Sequence, residues 1–392
     1  MSEAPRPPLA GFQPERVDDP TLINLHDYER LAAERLAAGA LAYYTGGAND
    51  ERTRRGNRMA FSARRIVPRV LRDVSRVDLS VEMLGRRWPW PVFISPTAFH
   101  RLAHPDGELA TARGAAARGI MMTLSTSSST DLADVAAVGG PRWFQVYLLA
   151  DAGARQALVE RAVTAGYEAL VLTVDLPRVG RRERDIQVGF AIPDDVAVPN
   201  IAAAAGVPLA EGLNVAFTDR MTWDDVEWLN GFGLPVIVKG ILHPDDARLA
   251  VEHGAAAVQV SNHGGRQLDN AIASLDALPA VAAAVNGRVP VLMDGGVRRG
   301  TDVLVALALG ATAVGIGRPI LWGLAVNGEA GVGHVLDLLT AELELAMALA
   351  GAPSIGDLGP DWIVPDPAYS ALSASAIGIR TPRSRATSKA RS

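Results

Sequence analysis

Eight short apolar segments recur along the chain, and stretches with helical spacing of apolar residues separate them. The segments are continuously apolar rather than alternating, which is typical of parallel strands buried on both faces. Eight β-then-α units predict an α/β protein whose strands close into a (β/α)8 barrel, the TIM-barrel fold. The segments are PVFISP (91–96), IMMTLS (120–125), WFQVY (143–147), ALVLTVD (169–175), LPVIVKG (234–240), AAVQVSNH (256–263), VPVLMDGG (289–296) and AVGIGR (313–318).

Nearly every one of these segments ends in polar or glycine residues, which packing of a barrel strand does not require. An active site at the carboxyl ends of the strands does require them. The rival fold is an open doubly wound sheet, which normally has fewer strands and gathers its ligand groups at one switch point. The terminal residues are Ser95, Ser125, Gln145, Tyr147, Thr173, Asp175, Lys239, Ser261, His263, Asp294, Gly317 and Arg318.

Two segments lie outside the eight units. The spacing of apolar residues over 25–50 predicts an amphipathic helix that ends near Gly46 and caps the barrel. Residues 176–222, after the fourth strand, exceed the usual βα loop, so we expect a lid over the catalytic face. A membrane contact is the alternative for this apolar segment, but residues 186–219 contain no Lys or Arg that would attract anionic lipid.

Composition excludes several classes of protein. The 392 residues include no Cys, so a disulfide framework, a thiol nucleophile and a Cys-ligated metal are all excluded, and we expect no metal. A formal net charge of −5 argues against nucleic acid as the main partner. We expect no membrane partner and a cytoplasmic location, because the uncharged stretches are too short to span a bilayer and the first twenty residues lack signal-peptide features.

The ends of the chain differ from its middle. Residues 1–20 are rich in Pro and charge, and the C-terminal stretch is basic with few apolar side chains. Such segments rarely bury enough apolar surface to fold. We therefore predict a flexible tail over 1–20, one barrel domain over 21–370 and a flexible basic tail over 371–392.

Glycine-rich turns follow the seventh and eighth strands, where barrels commonly hold phosphate. DGGVRRG (294–300) contains Gly295, Gly296 and Arg298, and GIGR (315–318) ends in Arg318. Glycine lets the backbone approach a ligand closely, and Arg pairs with phosphate oxygens. The alternative is that these glycines only form tight turns and the arginines only form surface ion pairs.

The segment SNHGGRQLD (261–269) brings His263 and Arg266 to the end of the sixth strand. A His accepts a proton near neutral pH, and an Arg binds a carboxylate through two parallel hydrogen bonds. This combination suits an acid substrate whose neighbouring carbon loses hydrogen. Asp175, at the end of the fourth strand, could orient the imidazole.

Two basic features allow more than one interpretation. The arginines after Asp175 could bind a substrate anion, or they could pair with Glu183 and Asp185. Lys239 closes the fifth strand, where a buried ammonium needs an anionic partner. It could be a Schiff-base nucleophile or a fixed cation beside an electron-accepting cofactor. The arginines are Arg178, Arg181 and Arg182.

Seven segments of the chain, taken in order, resemble those of the FMN-dependent L-2-hydroxy acid oxidases and dehydrogenases. The segments are SPTAFHRLAHPDGE, FQVY, LTVD-PR-GRRE-D, VKG, SNHGGRQLD, DGGVRRGTDV and IGRP. That family includes glycolate oxidase, lactate oxidase and mandelate dehydrogenase, and the likeness is greatest to the glycolate oxidase branch. It extends from about Leu25 to Gly351. The resemblance implies FMN as cofactor, a small 2-hydroxy acid as substrate, O2 as electron acceptor, hydrogen peroxide as product, and a homo-oligomer, either a tetramer or an octamer.

The resemblance also implies roles for individual residues. His263 would be the base, Asp175 its partner, and Tyr147 a catalytic group that also binds substrate. Tyr43, Arg182 and Arg266 would bind the substrate carboxylate. Residues that would contact FMN, including its phosphate, are Pro96, Thr97, Ala98, Ser125, Gln145, Thr173, Lys239, Ser261, Asp294, Gly295, Gly296, Arg298, Gly317 and Arg318.

Two residues depart from the glycolate oxidase pattern. Ser127 stands where those enzymes carry Trp, and Phe99 where relatives often have Met. These differences favour a wider, partly aromatic pocket. Whether the base takes the hydroxyl proton or the α-carbon proton stays open at this point. Also open are a flavin dehydrogenase that uses a quinone, a protein acceptor or a peptide-derived substrate, and a non-enzymatic or isomerase barrel that binds a phosphorylated ligand.

Overall fold

In the computed structural model, which describes residues 21–366, eight parallel strands form a closed barrel. The predicted tails, 1–20 and 371–392, lie outside the described residues. Closure is direct, because the first strand pairs with the last through Val92 opposite Val314. The TIM-barrel prediction is confirmed and the open sheet is excluded. The strands are β1 (Val92–Ile94), β2 (Met121–Leu124), β3 (Arg142–Val146), β4 (Leu170–Thr173), β5 (Val236–Ile241), β6 (Ala257–Val260), β7 (Val291–Asp294) and β8 (Ala313–Ile316).

A helix follows each strand and covers the outside of the barrel. Pro at the first turn and an αL residue at the end delimit several of them, as at Pro244 and Gly351. The last helix is long and kinks where Gly328 has φ 55°. The helices are α1 (Gly107–Ala116), α2 (Leu132–Ala137), α3 (Ala152–Thr164), α4 (Asp224–Asn230), α5 (Pro244–Glu252), α6 (Ser274–Val285), α7 (Gly300–Ala308) and α8 (Arg318–Ala350).

The barrel interior is packed at its amino-terminal end. Phe93 and Trp143 fill it from two strands, with ring centroids 5.7 Å apart. A hairpin of Val81–Met83 and Arg86–Trp88 adds Trp88 to the same cluster. This apolar plug leaves the carboxyl ends of the strands as the face on which polar side chains surround a cavity.

The cap is two helices, Leu25–Arg35 and Ala38–Thr45, and not the single helix predicted over 25–50. Leu36 is extended, with φ −71° and ψ 139°. Because of this break, the two helices contact different parts of the barrel. The Tyr28 hydroxyl lies 2.8 Å from His334 Nδ1 on α8, whereas the Tyr44 hydroxyl donates to the Phe99 carbonyl (2.6 Å) at the cavity.

Further short elements complete the described chain. A helix over Arg52–Ser62 and an antiparallel pair, Arg64–Ile66 with Ile363–Pro365, were not predicted. Within 176–222, after β4, lie the helices Glu183–Gln187 and Pro199–Ala205 and the 3-10 helix Leu209–Asn214. Other 3-10 turns are His100–Leu102, His263–Gly265, Ile355–Asp357 and Pro360–Trp362. Across residues 21–366, no helix combines the length and apolarity needed to cross a membrane.

Candidate active site

His263 and Asp175 meet at the carboxyl end of the barrel, where the chain leaves β6 and β4. The imidazole Nδ1 lies 2.9 Å from Asp175 Oδ1, and both side chains are mostly buried. A carboxylate can only accept, so Nδ1 carries the hydrogen and Nε2 presents its lone pair. Nε2 lies 3.4 Å from the Tyr147 hydroxyl, and both residues line one cavity. This arrangement makes Nε2 the basic atom of the site.

Electrostatics keep this pair in the form needed for a base. Burial lowers the pKa of His263, although Asp175 acts to raise it, so the imidazole is neutral at pH 7. Burial alone would raise the pKa of Asp175, but His263 and Lys239 hold it below its usual range. Burial also raises the pKa of Tyr147, whose hydroxyl therefore keeps its proton. A neutral imidazole beside a carboxylate can accept a proton and be stabilised once charged.

The backbone of His263 is strained. Its φ is 56°, in the left-handed region that a residue with a Cβ seldom adopts. Gly265 follows with φ 75°, and a Cβ there would lie 2.4 Å from the amide nitrogen of Arg54. The turn therefore packs directly on the Arg52–Ser62 helix. That contact holds the imidazole over the cavity.

Two arginines, Arg182 and Arg266, cluster around Tyr43 at the cavity. The Arg266 guanidinium stacks 4.7 Å from the Tyr43 ring centroid, and that of Arg182 lies 5.6 Å from the same ring. Arg266 donates to the carbonyls of Tyr43 and Gly46. Burial, and then repulsion from Arg182, lower the pKa of Arg266 to about 10. Within residues 21–366 neither guanidinium has an ion-pair partner within 4 Å, although Asp185 attracts both, and two cations in this position favour an anionic ligand.

The neighbouring arginines take no part in this cluster. Arg178 lies 3.4 Å from Asp219, and Arg181 lies 3.1 Å from Glu183, both at the surface. Arg181 therefore pairs with Glu183, as the ion-pair alternative expected, whereas Arg178 pairs with Asp219. Of the three arginines only Arg182 lines the cavity.

Deeper in the barrel, Lys239 belongs to a buried hydrogen-bond network. Its Nζ donates to Ser261 Oγ (3.0 Å), and Ser261 donates to Asp294 Oδ1 (2.5 Å). Lys239 Nζ itself is 3.8 Å from Asp294, which also accepts from Gln259 and Ser95. The ammonium is thus a fixed cation with an anionic partner, facing the cavity.

Gln145 Nε2 and Thr173 Oγ1 are among the buried polar atoms at the cavity that have no partner within the described residues. The Gln145 carbonyl oxygen accepts from the Ser125 hydroxyl and the Thr126 amide, both at 3.1 Å. That fixes the orientation of its amide group. Buried polar groups without partners are costly, so these two atoms indicate a ligand that carries hydrogen-bonding groups.

The turns after β7 and β8 form a cationic end of the same cavity. Arg298 is buried against the Trp322 ring (4.5 Å), and burial lowers its pKa to about 10. The guanidinium Nε of Arg298 lies 3.8 Å from a carboxylate oxygen of Glu29. Arg318 donates to the carbonyls of Tyr44, Gly46 and Gly264, which leaves two of its five N–H groups for another acceptor. A bound phosphate would supply the negative charge that balances these two arginines.

One cavity of about 1,580 Å³, including its open mouth, joins these groups. Three predicted site residues, Asp175, Gln145 and Ser261, lie one hydrogen bond behind its surface. The predicted residues that line it directly are Tyr43, Pro96, Thr97, Ala98, Ser125, Tyr147, Thr173, Arg182, Lys239, His263, Arg266, Asp294, Gly295, Gly296, Arg298, Gly317 and Arg318.

The predictions from sequence missed Asn57, which ties the Arg52–Ser62 helix to the strand ends. Its amide forms two reciprocal 2.8 Å hydrogen bonds with Asn262, beside His263. A Cβ on Gly296 would lie 2.4 Å from the Asn57 carbonyl. Thr53, Asn57 and Phe61 recur every four residues, so a buried polar group on one helix face was the available signal.

The fold and the site together define a class: a (β/α)8 barrel enzyme that holds a phosphorylated redox cofactor beside a His–Asp base and a carboxylate-binding arginine. Comparison with known proteins narrows this class. The family model described as FMN-dependent dehydrogenase matches residues 32–365. The chain therefore belongs to the FMN-dependent dehydrogenase family, as its resemblance predicted, and FMN is its cofactor.

Individual relatives are similar along nearly their whole length. L-lactate oxidase from Nostoc sp. is 51% identical over 356 residues, covering 87% of this chain and 98% of that protein. Glycolate oxidase 3 from Arabidopsis thaliana is 44% identical over 368 residues, covering 88% and 98%. A solved structure of a mandelate oxidase variant with (S)-mandelic acid has a TM-score of 0.81 and 44% identity, covering 86% of this chain and 97% of that one.

The residues present fit FMN. Gln145 and Thr173 would offer unpaired hydrogen-bonding groups to the edge of a flavin ring, and Lys239 would supply a cation for the negative charge that a reduced flavin carries. Arg298 and Arg318 would supply positive charge for its phosphate. The cavity connects both ends without interruption.

Proposed function

We propose that this protein oxidises an L-2-hydroxy acid to the 2-keto acid, with His263 as the base and O2 as the electron acceptor. The observation that carries the proposal is the unprotonated Nε2 of His263, which faces the cavity that Arg266 also lines and lies 3.4 Å from the Tyr147 hydroxyl. The relatives named above as lactate, glycolate and mandelate oxidases support this reaction class.

The chain's own residues have complementary tasks in this reaction. Arg266 and Arg182 hold the substrate carboxylate, and the Tyr147 hydroxyl donates a hydrogen bond to the substrate. His263 Nε2 accepts a proton while Asp175, at Nδ1, stabilises the imidazolium that forms. Bound FMN would supply the acceptor for the two electrons and the second hydrogen that leave the substrate, and O2 would then accept both electrons with two protons to give hydrogen peroxide. Lys239 provides fixed positive charge beside the cofactor.

Residues 176–222 would act as the lid. Arg182 and several apolar side chains of this segment line the cavity, so the segment separates the base from bulk water. The domain boundaries and the lid remain predictions that limited proteolysis with and without a substrate analogue would test.

The spectrum of the purified protein tests the reaction class. Without oxygen, we expect the flavin absorbance of the yellow protein to bleach when L-2-hydroxy acids are added, and to return with hydrogen peroxide when air is admitted. Bleaching without reoxidation by air would indicate a dehydrogenase that uses another acceptor. A flavin that stays oxidised with every 2-hydroxy acid would refute the proposal.

His263→Ala tests the assignment of the base. We expect flavin reduction to slow by about 10²–10⁴-fold, the usual contribution of a general base, with FMN still bound. A near-normal rate of reduction in a variant with normal flavin content would show that another group takes the proton.

We further propose that copies of the chain associate into a tetramer or octamer. Val70, Leu71 and Leu349 are exposed apolar residues on adjacent segments, joined by the Arg69 amide bonding the Ala350 carbonyl (2.8 Å). Such patches commonly mark interfaces. Light scattering in solution measures this directly, and a monomer at all concentrations would refute it. The cytoplasmic location stays a prediction from sequence.

A further inference from the structure

The cavity continues past the base into an apolar region. Four apolar side chains of residues 176–222 line it there: Val198, Ile201, Val215 and Phe217, hereafter the apolar wall. The Phe217 ring lies 5.1 Å from the ring of Tyr147, whose hydroxyl is 3.4 Å from the basic nitrogen. The apolar wall therefore begins beside the reacting atoms.

Hydrogen bonds made by neighbouring residues hold the apolar wall against the barrel. Within it, Val198 and Ile201 are buried, 0% and 3% exposed. Between them, the Asn200 side chain accepts from the Leu132 amide (2.7 Å) and donates to the Thr130 carbonyl (3.4 Å) at the start of α2. These bonds fix the helix Pro199–Ala205 against the barrel.

The second half of the apolar wall is held by backbone pairing. The Thr218 amide donates to the Leu148 carbonyl (2.8 Å), and the Ala150 amide to the Ala216 carbonyl (2.9 Å). The segment thus extends the edge that follows β3, with Phe217 between the two bonds. A wall fixed at both ends is a preformed binding surface.

Opposite the polar groups, the lining of the pocket is largely apolar, with the Ser127 side chain as a polar exception. Ser127 and Phe99 complete this part of the cavity, and the Phe99 amide bonds the Ser127 carbonyl (3.2 Å). In the proposed function, Arg266 holds the carboxylate of the 2-hydroxy acid and His263 lies at its C2. The substrate side chain is then the group that contacts the apolar wall. A substrate without a side chain would leave this surface in contact with water.

We propose that the preferred substrates carry a large apolar side chain, aliphatic or aryl, that packs on the apolar wall. This inference rests on the proposed function and adds its substrate class. Each methylene that enters such a pocket changes kcat/KM by about tenfold or more. We therefore expect kcat/KM for L-2-hydroxyoctanoate or L-mandelate to exceed that for glycolate by at least about tenfold.

The test compares glycolate, L-lactate, L-2-hydroxyoctanoate and L-mandelate on the holoenzyme and on Ile201→Ala. We expect Ile201→Ala to lose about tenfold in kcat/KM for the best large substrate and to keep its value for glycolate. Leu209→Ala is the matched control, because Leu209 belongs to the same segment but is 53% exposed and does not line the cavity. Normal flavin content shows that each variant is folded.

The outcomes separate this inference from the proposed function. A preference for the octanoate or the mandelate supports a large apolar side chain, and their ratio identifies which form fits better. A preference for glycolate or lactate, or an Ile201→Ala loss that is equal for all four acids, overturns the inference while the oxidase assignment stands. Failure of every 2-hydroxy acid to reduce the flavin refutes the proposed function itself.

Discussion

Replacing Asp175 by Asn removes the negative charge beside the base and keeps the shape of the side chain. Asp175 Oδ1 lies 2.9 Å from His263 Nδ1, and the two side chains are 13% and 17% exposed. Opposite charges about 4 Å apart near a protein surface attract by roughly 4 kcal/mol. Because neutral His263 does not feel this attraction, the energy is gained only as the proton arrives.

The expected rate follows from that energy. If His263 carries half to all of its charge in the transition state, Asp175→Asn loses about 2–4 kcal/mol, or roughly 30- to 1,000-fold in rate. The measurement is stopped-flow reduction of the flavin without oxygen. Asp245→Asn makes the same chemical change on the exposed surface and serves as the control.

A pH profile distinguishes electrostatics from simple distortion. Asp175 raises the pKa of His263, so its removal must lower that pKa, and the acidic limb of kcat/KM should move to lower pH. A rate within about threefold of the unmodified protein, or a limb that moves to higher pH, would refute the reasoning. Flavin content should be unchanged, since Asp175 does not line the cavity.

Three further predictions concern binding, redox behaviour and stability. Arg266→Lys keeps the charge but loses the planar fork, so KM should rise about tenfold or more in steady-state assays, with kcat less affected. Lys239→Met removes a buried cation and should lower the flavin midpoint potential by at least about 30 mV, equivalent to about 1.4 kcal/mol for two electrons. Glu108→Gln disrupts a fully buried carboxylate that accepts from Ser129 and Thr130, and urea unfolding should show a loss of about 3 kcal/mol. A loss below about 1 kcal/mol would contradict this account of Glu108.

The barrel could be predicted because its signal is local. Each strand is a short run of apolar residues that must be buried on both faces, and each run ends in side chains that packing does not need. Asp175 and His263 follow β4 and β6, and Lys239 lies within β5, yet parallel strands in a barrel bring all their carboxyl ends to one face. Their convergence therefore follows from the fold, although their roles in the reaction stay proposals.

The cap and the region after β4 could not be predicted in the same way. No Gly or Pro marks the break at Leu36, which exists because Tyr28 and Tyr44 bind different parts of the barrel. The anchoring of Asn200 to Thr130 and Leu132 joins residues about seventy positions apart. Such contacts have no periodicity along the chain, so only the folded structure reveals them.

By itself, then, the sequence determined the barrel, since burial and strand order fix it, and the resemblance of its motifs to a known family indicated the cofactor and the residues around the base. The tertiary structure decided the protonation of that base, through the 2.9 Å contact of His263 with Asp175 and the burial of both. It also decided the shape of the pocket beyond the base, because Val198 and Phe217 line it only through hydrogen bonds made by their neighbours to distant parts of the barrel.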